Sequence, residues 1–359
     1  MTFLLLLGLL ATSISSVTAQ TWTNCNPLNV TCPPDPALGT NATFNFTSSL
    51  DDKIWNITNG AIDYTDKGAE FSIAKRLQSP TVQSNFYIFG GIVESIVQAA
   101  PGRGIVSSVV LQSDDLDEID WEWVGYDTTH VQSNYYSKGV ATYGRAEFHE
   151  VNGSATTGFH NYTTYWTHEK LEWWIDGQLQ RTLTYDNATN GTTFPQTPMN
   201  IRLGVWPAGD PKNPIGTIEW AGGEVDYEAG PYNMYIQRVR VHDFSTGKEY
   251  KYTDRSGTWG SIETVQGNST IEKEINKPPA ESVSQKWAKL PSGAKIGIAC
   301  AIAGVGACAL GLFAFYCVKQ RRAGRAEYNL ENSKFDTNRT EMSNFQSQWR
   351  QSGYQPVRN

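Results

Sequence analysis

The sequence predicts an all-β sandwich followed by a single membrane-crossing helix. Three observations carry this. Between Ala42 and His242, short runs rich in Val, Ile, Thr, Tyr and Trp alternate with clusters of Gly, Asn, Asp and Pro, the pattern of strands punctuated by turns. No long amphipathic helical period interrupts them. Finally, Ile296 to Val318 is an unbroken stretch without formal charge, rich in Ala, Gly, Leu and Ile, long enough to span a bilayer.

Composition narrows the function. The 359 residues, 39% hydrophobic and with net charge −7, are enough for one large globular domain plus appendages. Mild acidity argues against nucleic acid or an anionic membrane surface as the main partner. Aromatic residues are plentiful, with 12 Trp and 17 Tyr. They suit both the core of a sandwich and the stacking platforms of a sugar site. His130, His149, His160, His168 and His242 show no metal-ligand spacing, and no phosphate loop or dinucleotide fingerprint occurs. No metal or organic cofactor is expected.

In chain order, residues 1–19 hold an apolar run from Phe3 to Leu10 and end Val17-Thr18-Ala19, as a secretory signal peptide cut before Gln20 does. Asn29, Asn41, Asn45, Asn56, Asn152, Asn161, Asn187, Asn190 and Asn268 each begin an Asn-x-Ser/Thr sequon, which fits a surface facing the secretory lumen. Cys25 and Cys32 flank Pro27 and are expected to form a small disulfide loop pinning the N-terminus, worth about 2–3 kcal/mol in the chain-entropy model. Strands are expected at Phe86 to Phe89, Ile92 to Gln98, Ile105 to Gln112 and Leu171 to Ile175, the last closed by the hairpin pair Asp176-Gly177.

The run from Asp114 to Trp123 is the chemical centre. On a strand, side chains alternate faces. Leu116, Glu118, Asp120 and Glu122 would then line one face, with Asp117, Ile119, Trp121 and Trp123 on the other. Adjacent carboxylates are costly under a packed core but tolerable in an open cleft, where their pKa values can be driven apart. A solvated acidic edge strand is the plainer alternative, although edges are more often blunted with Lys or Pro. Retaining glycoside hydrolysis needs one carboxylate to attack the anomeric carbon and a second to move the proton, about 5–5.5 Å apart. Strand positions i and i+4 have backbones about 13 Å apart, so Glu118 and Glu122 must lean together over Asp120.

The same alternation groups Gln132, Asn134 and Tyr136, and separately Arg202, Gly204 and Trp206. The second trio offers a cation, a gap and a flat ring as a stacking floor. Thr217 and Glu219 would share a face just beyond, and Glu94 would reach in from another strand. Trp123, Trp173 and Trp174 are assigned to packing.

After the sandwich, residues 263–293 are polar and read as a stalk. The span follows at 296–318, then a tail at 319–359 expected to be disordered. Lys319, Arg321, Arg322 and Arg325 stand directly after the span, placing the C-terminus in the cytosol by the positive-inside rule. Ala303, Ala307 and Gly311 recur at four-residue spacing, and Cys317 at the inner edge is a candidate for palmitoylation.

Glu118-Ile119-Asp120-Trp121-Glu122 resembles the Glu-x-Asp-x-Glu signature of glycoside hydrolase family 16. Together with Ser113 to Glu118, Phe194 to Met199 and Gly216 to Gly223, it is similar to the fungal Crh-type branch, cell-wall transglycosylases that join chitin to β-glucan. The resemblance implies a β-jelly-roll sandwich with a concave substrate cleft over residues 20–262. It implies Glu118 as nucleophile, Asp120 as tuning residue and Glu122 as acid/base. Asn134 and Tyr136 match the family's Asn-x-Tyr beside the catalytic strand, so they are expected to touch the sugar. Glu94, Arg202, Trp206 and Thr217 complete the expected binding set. Chitin and β-glucan chains are the implied partners, with the plasma membrane reached through the one helix. Two features depart from many relatives. About 40 mostly polar residues follow the span, unlike a lipid-anchor signal, and a Cys-dense chitin-binding module is missing. A hydrolytic glucanase or chitinase of the same fold, or a non-catalytic glycan-binding surface receptor, are the alternatives.

Overall fold

The computed structural model describes residues 22–278, 283–351 and 353. The expected signal peptide lies outside the described residues. The chain divides into two compact units, one up to Lys277 and one from Pro278.

Two antiparallel sheets build the first unit. The catalytic sheet has seven strands, in the order Glu147–Glu150, His130–Tyr136, Glu118–Val124, Val106–Ser113, Met199–Trp206, Thr81–Ser84, Trp55–Asn59. The eight-stranded sheet runs Gln178–Thr184, Lys170–Ile175, His160–Trp166, Gly91–Gln98, Tyr232–Asp243, Gly68–Ile73, Asp63–Thr65, with Asn41–Asn45 also paired to Tyr232–Asp243. A smaller sheet joins Asp35–Pro36, Glu249–Tyr252 and Ile262–Val265.

Tryptophans on the back of the catalytic strand hold the two layers together. Trp121 and Trp123 are buried and meet Tyr162 of the second sheet edge-on, at centroid distances of 5.5 and 4.6 Å. Each ring removes about 150–250 Å² from water, worth about 4–6 kcal/mol as an upper bound at about 25 cal/mol/Å². Trp173 of the second sheet adds a polar tie, its indole N–H donating to the Asp120 carbonyl at 3.2 Å. The fold is thus the expected jelly-roll sandwich.

Three boundaries differ from expectation. The catalytic strand begins at Glu118, and Leu116 lies in the preceding turn at φ 67°. That turn closes on itself: Ser113 N–H donates to the Asp117 carbonyl at 2.9 Å, and Leu116 N–H to the Ser113 carbonyl at 3.1 Å. Leu116 therefore does not line the face with the acids.

The sandwich unit also runs past 262. Ile262–Val265 pairs with Glu249–Tyr252, and the helix Thr270–Ile275 follows. Ser269 caps that helix, accepting from the Ile271 and Glu272 N–H groups while donating to the Ala37 carbonyl at 2.6 Å. This cap seats Ile271 in the core. The polar stalk therefore cannot start at 263.

In the second unit, one helix runs from Ser292 to Gln351. It is long and apolar enough to cross a membrane, with a mean hydropathy of 2.3 over its best window. The tail expected to be disordered continues this helix as far as Gln351. Between 319 and 351 the chain carries no proline and many good helix formers, so nothing local stops propagation.

Candidate active site

Residues directly opposed in an antiparallel ladder project on one face, so the pairing register maps the floor around the acids. Tyr136, Glu118, Gln112 and Asn200 form one row across four strands. Asn134, Asp120, Val110, Arg202 and Gln83 form the next. Phe148, Gln132, Glu122, Ser108 and Gly204 form the third. Ile119, Trp121 and Trp123 of the same strand are buried in the core. The three carboxylates therefore rise together on the face turned away from it.

Each acid has a different environment. Glu118 Oε2 accepts from Gln112 Nε2 at 2.8 Å. Among the described residues, no N–H or hydroxyl donor reaches either carboxyl oxygen of Asp120. Burial, the flanking charges of Glu118 and Glu122, and a carboxyl–carboxyl contact with Glu118 hold its pKa well above the carboxylate range. Carboxyls crowded in this way hold a proton between them. Glu122 is pushed up to about 8, first by burial and then by the charge of Glu118. Ser108 Oγ, 3.5 Å from its Oε1, opposes the shift. So does the Trp206 indole N–H, which faces Glu122 without full hydrogen-bond geometry. With its pKa raised to about 8, Glu122 holds its proton at neutral pH.

The sugar-facing candidates Asn134, Tyr136, Arg202 and Trp206 are brought together around the acids. Asn134 Nδ2 donates to the Tyr136 hydroxyl at 2.8 Å. Burial and then the negative charge of the three acids raise the pKa of that phenol, keeping it a neutral donor. Arg202 is buried; its Nε donates to Asn200 Oδ1 and its Nη2 to the Trp22 carbonyl, each at 3.0 Å. Burial lowers its pKa to about 10, so it stays charged at neutral pH. Trp206 packs on Trp220 at a centroid distance of 6.1 Å.

Two candidates fall elsewhere. Glu94 belongs to the eight-stranded sheet, between Thr163 and Arg240, and binds Arg240 Nη1 at 2.7 Å. Its neighbours Val93 and Ser95 are buried, so alternation turns Glu94 outward, on the sheet that does not carry the acids. Thr217 sits on the short helix Ile215–Trp220 rather than a strand. Its placement by strand alternation therefore fails, and Trp220 is the residue this helix sets against the cleft ring Trp206. Pro214 before this helix and Gly222-Gly223 after it are helix-boundary signals in the sequence.

Gln132 takes the face that alternation gave it, whereas Gln112, Asn200 and Ser108 were missed. Alternation within their own strands makes them visible only once the register is known. The Cys25–Cys32 disulfide is formed. Among the described residues, no group of three or more His, Cys, Asp or Glu is placed to hold a metal ion.

A buried ion cluster fixes the entry to the catalytic strand. Lys138 Nζ lies 2.9 Å from Asp115 and 2.7 Å from Asp117. Asp117 also accepts from Ser137 Oγ at 2.9 Å and from the Gln196 N–H at 2.7 Å. The residue next to Glu118 is thus held from two loops, one carrying Ser137 and Lys138 and the other Gln196.

Three carboxyls rising from one strand of an antiparallel sandwich, with amides and an indole around them, form the kind of site that glycosidases use. The family model for glycosyl hydrolases family 16 matches residues 50–222. The chain is 60% identical to Crh-like protein 3 of Aspergillus fumigatus over 99% of its length and 100% of that protein. It is 52% identical to a Crh-like protein of Arthroderma benhamiae over 98% of this chain and 96% of the other. A solved structure, a Crh5 transglycosylase in complex with NAG, superposes with a TM-score of 0.65 at 50% identity, covering 67% of this chain and 99% of that one. The chain belongs to the Crh-type branch of glycosyl hydrolase family 16.

Proposed function

We propose that this protein is a cell-wall transglycosylase that cleaves chitin and transfers the new end to β-glucan or chitin. The observation that carries this reading is the pairing of a protonated Glu122 with the Gln112-held carboxylate of Glu118 on one sheet face. Glu118 attacks the anomeric carbon as the glycosidic C–O bond breaks, and Glu122 gives its proton to the departing oxygen. The donor chain is left as an ester on Glu118. That ester carries no charge, so one cause of the raised Glu122 pKa disappears and Glu122 is then better held as a carboxylate. It takes the proton of an acceptor hydroxyl as that oxygen displaces Glu118. Asp120 keeps the displaced carboxylate company with a shared proton. Asn134, Tyr136, Arg202 and Trp206 bind the sugars.

The relative of known structure holds NAG, a sugar of the kind that makes up chitin, which supports a chitin donor. In the cell, the helix anchors the enzyme with the sandwich outside and the C-terminus in the cytosol, as the basic cluster from Lys319 to Arg325 favours.

Full-length protein incubated with chitin oligomers and fluorescent laminarin-type oligosaccharides, with products read by mass spectrometry, tests the reading. Fluorescent products lengthened by GlcNAc units are expected. Only shorter, unlabelled fragments would make it a hydrolase instead.

A further inference from the structure

The N-terminal arm reaches the active-site floor. Trp22 N–H donates to Gln112 Oε1 at 3.2 Å, and the other end of the same amide holds Glu118 at 2.8 Å. The Trp22 carbonyl accepts from Arg202 Nη2 at 3.0 Å, and the Arg202 guanidinium lies 5.1 Å from the centroid of the Trp22 ring. Arg202 shares its sheet face with Asp120. The indole lying over it is therefore on the substrate side of the sheet. The guanidinium covers part of the ring, yet Trp22 is still 44% exposed. Gln112 is one strand from Glu118 and Arg202 is two strands from Asp120. At about 4.8 Å per strand, the two residues that hold Trp22 stand about 5 and 10 Å across the sheet from the acids, which sets the indole beside the catalytic face within a few sugar lengths of Glu118. Downstream, Cys25 is tied to Cys32 and Pro27 is buried. Leu28 packs beside Gly257, which also adjoins Asp115 and Lys138 of the strand-entry cluster.

We propose that Trp22 is a sugar-stacking wall on the donor side of Glu118, and that the Cys25–Cys32 loop serves catalysis by holding that wall in place. The donor side is assigned because Trp22 contacts the row of Glu118, whereas Trp206 and Ser108 attend Glu122. An indole that rests against a cation and keeps 44% of its residue exposed presents flat apolar surface suited to the C–H face of a pyranose ring. The proposal rests on the transglycosylase reading above for the identity of the donor.

The test compares full-length wild type, Trp22→Ala, Trp22→Phe and a Cys25→Ser/Cys32→Ser double variant. It measures KM and kcat for chitin-oligomer donors, KM for a fluorescent laminarin-type acceptor, and Tm. For Trp22→Ala, donor KM is expected to rise about tenfold, with kcat and acceptor KM within about twofold of wild type. Trp22→Phe recovers most of that loss, a rescue that a purely structural role would not give. The double variant raises donor KM by a similar factor at temperatures well below its own Tm. Unchanged donor KM in Trp22→Ala overturns the wall, and unchanged donor KM in the double variant overturns the role of the loop. If wild type turns over no chitin, the transglycosylase reading has failed. Calorimetric binding of the same oligomers then still decides on Trp22: weaker binding by Trp22→Ala supports the wall, and equal or absent binding by both proteins overturns it.

Discussion

Replacing Glu118 by Gln tests whether the protonation of Glu122 is set by its neighbour as well as by burial. The substitution keeps shape and removes charge. If the two carboxyls stand about 5–5.5 Å apart, as retaining chemistry requires, an effective dielectric of about 20 gives an interaction of about 3 kcal/mol. That corresponds to about two pK units. Glu122, pushed up to about 8 with burial as the larger cause, should then titrate near about 6 in the variant, still above an ordinary glutamate. Carboxyl-selective NMR titration of protein carrying labelled glutamate reads this directly, with Glu122→Gln used to assign the resonance. An unchanged Glu122 titration in Glu118→Gln would refute the coupling, and with it the switch from acid to base through loss of the Glu118 charge.

Other perturbations separate the parts of the account. Because the folded pKa of Glu122 is raised, the stability it lends is fully present below its ordinary value of 4.5 and is lost as pH rises towards about 8. The Tm of wild type should therefore fall across that window, and Glu122→Gln should flatten the fall in a calorimetric pH series. Lys138→Met leaves Asp115 and Asp117 buried without their cation; a loss of about 3–5 kcal/mol in denaturant unfolding is expected, and a loss below 1 kcal/mol would show the cluster to be dispensable. Glu94→Gln breaks only the partly exposed pair with Arg240. It should change stability by less than about 1 kcal/mol and leave donor kcat/KM within about twofold, whereas a large drop in turnover would return Glu94 to the substrate path.

How far the site could be read from sequence depended on what a single strand can say. Alternation along Glu118–Val124 separates acids from tryptophans because a strand has two faces and a period of two. Asn134, Tyr136, Arg202 and Trp206 were legible for the same reason. Alternation cannot say which sheet a face belongs to, and Glu94 was misplaced for that reason. Nor can it distinguish six residues of helix from six of strand, so Thr217 was misread although Pro214 and the Gly222-Gly223 pair marked the helix ends. Leu116 failed because the strand starts only after a turn closed by backbone bonds between Ser113 and Asp117 and by the Ser113 hydroxyl, which accepts from the Asp117 N–H at 2.8 Å, an effect absent from any hydrophobic pattern. Gln112 reaches Glu118 through cross-strand register, Asn200 enters the same row only through Gln112, and Trp22 joins through a contact with Gln112 ninety residues away. Such long-range pairings exist only in the folded chain. The tail differed for a reason of local physics: composition suggested a solvated coil, while the absence of proline from 319 to 351 leaves nothing that breaks the long C-terminal helix.

The most direct measurement is a mass-spectrometric search for the glycosyl ester. Full-length enzyme is mixed with an activated chitin-oligomer fluoride, quenched in acid and digested. The account predicts that the peptide carrying Glu118 gains the mass of the donor glycosyl group, and that excess laminarin-type acceptor removes it. A labelled peptide without Glu118, or turnover with no ester at any quench time, would contradict it.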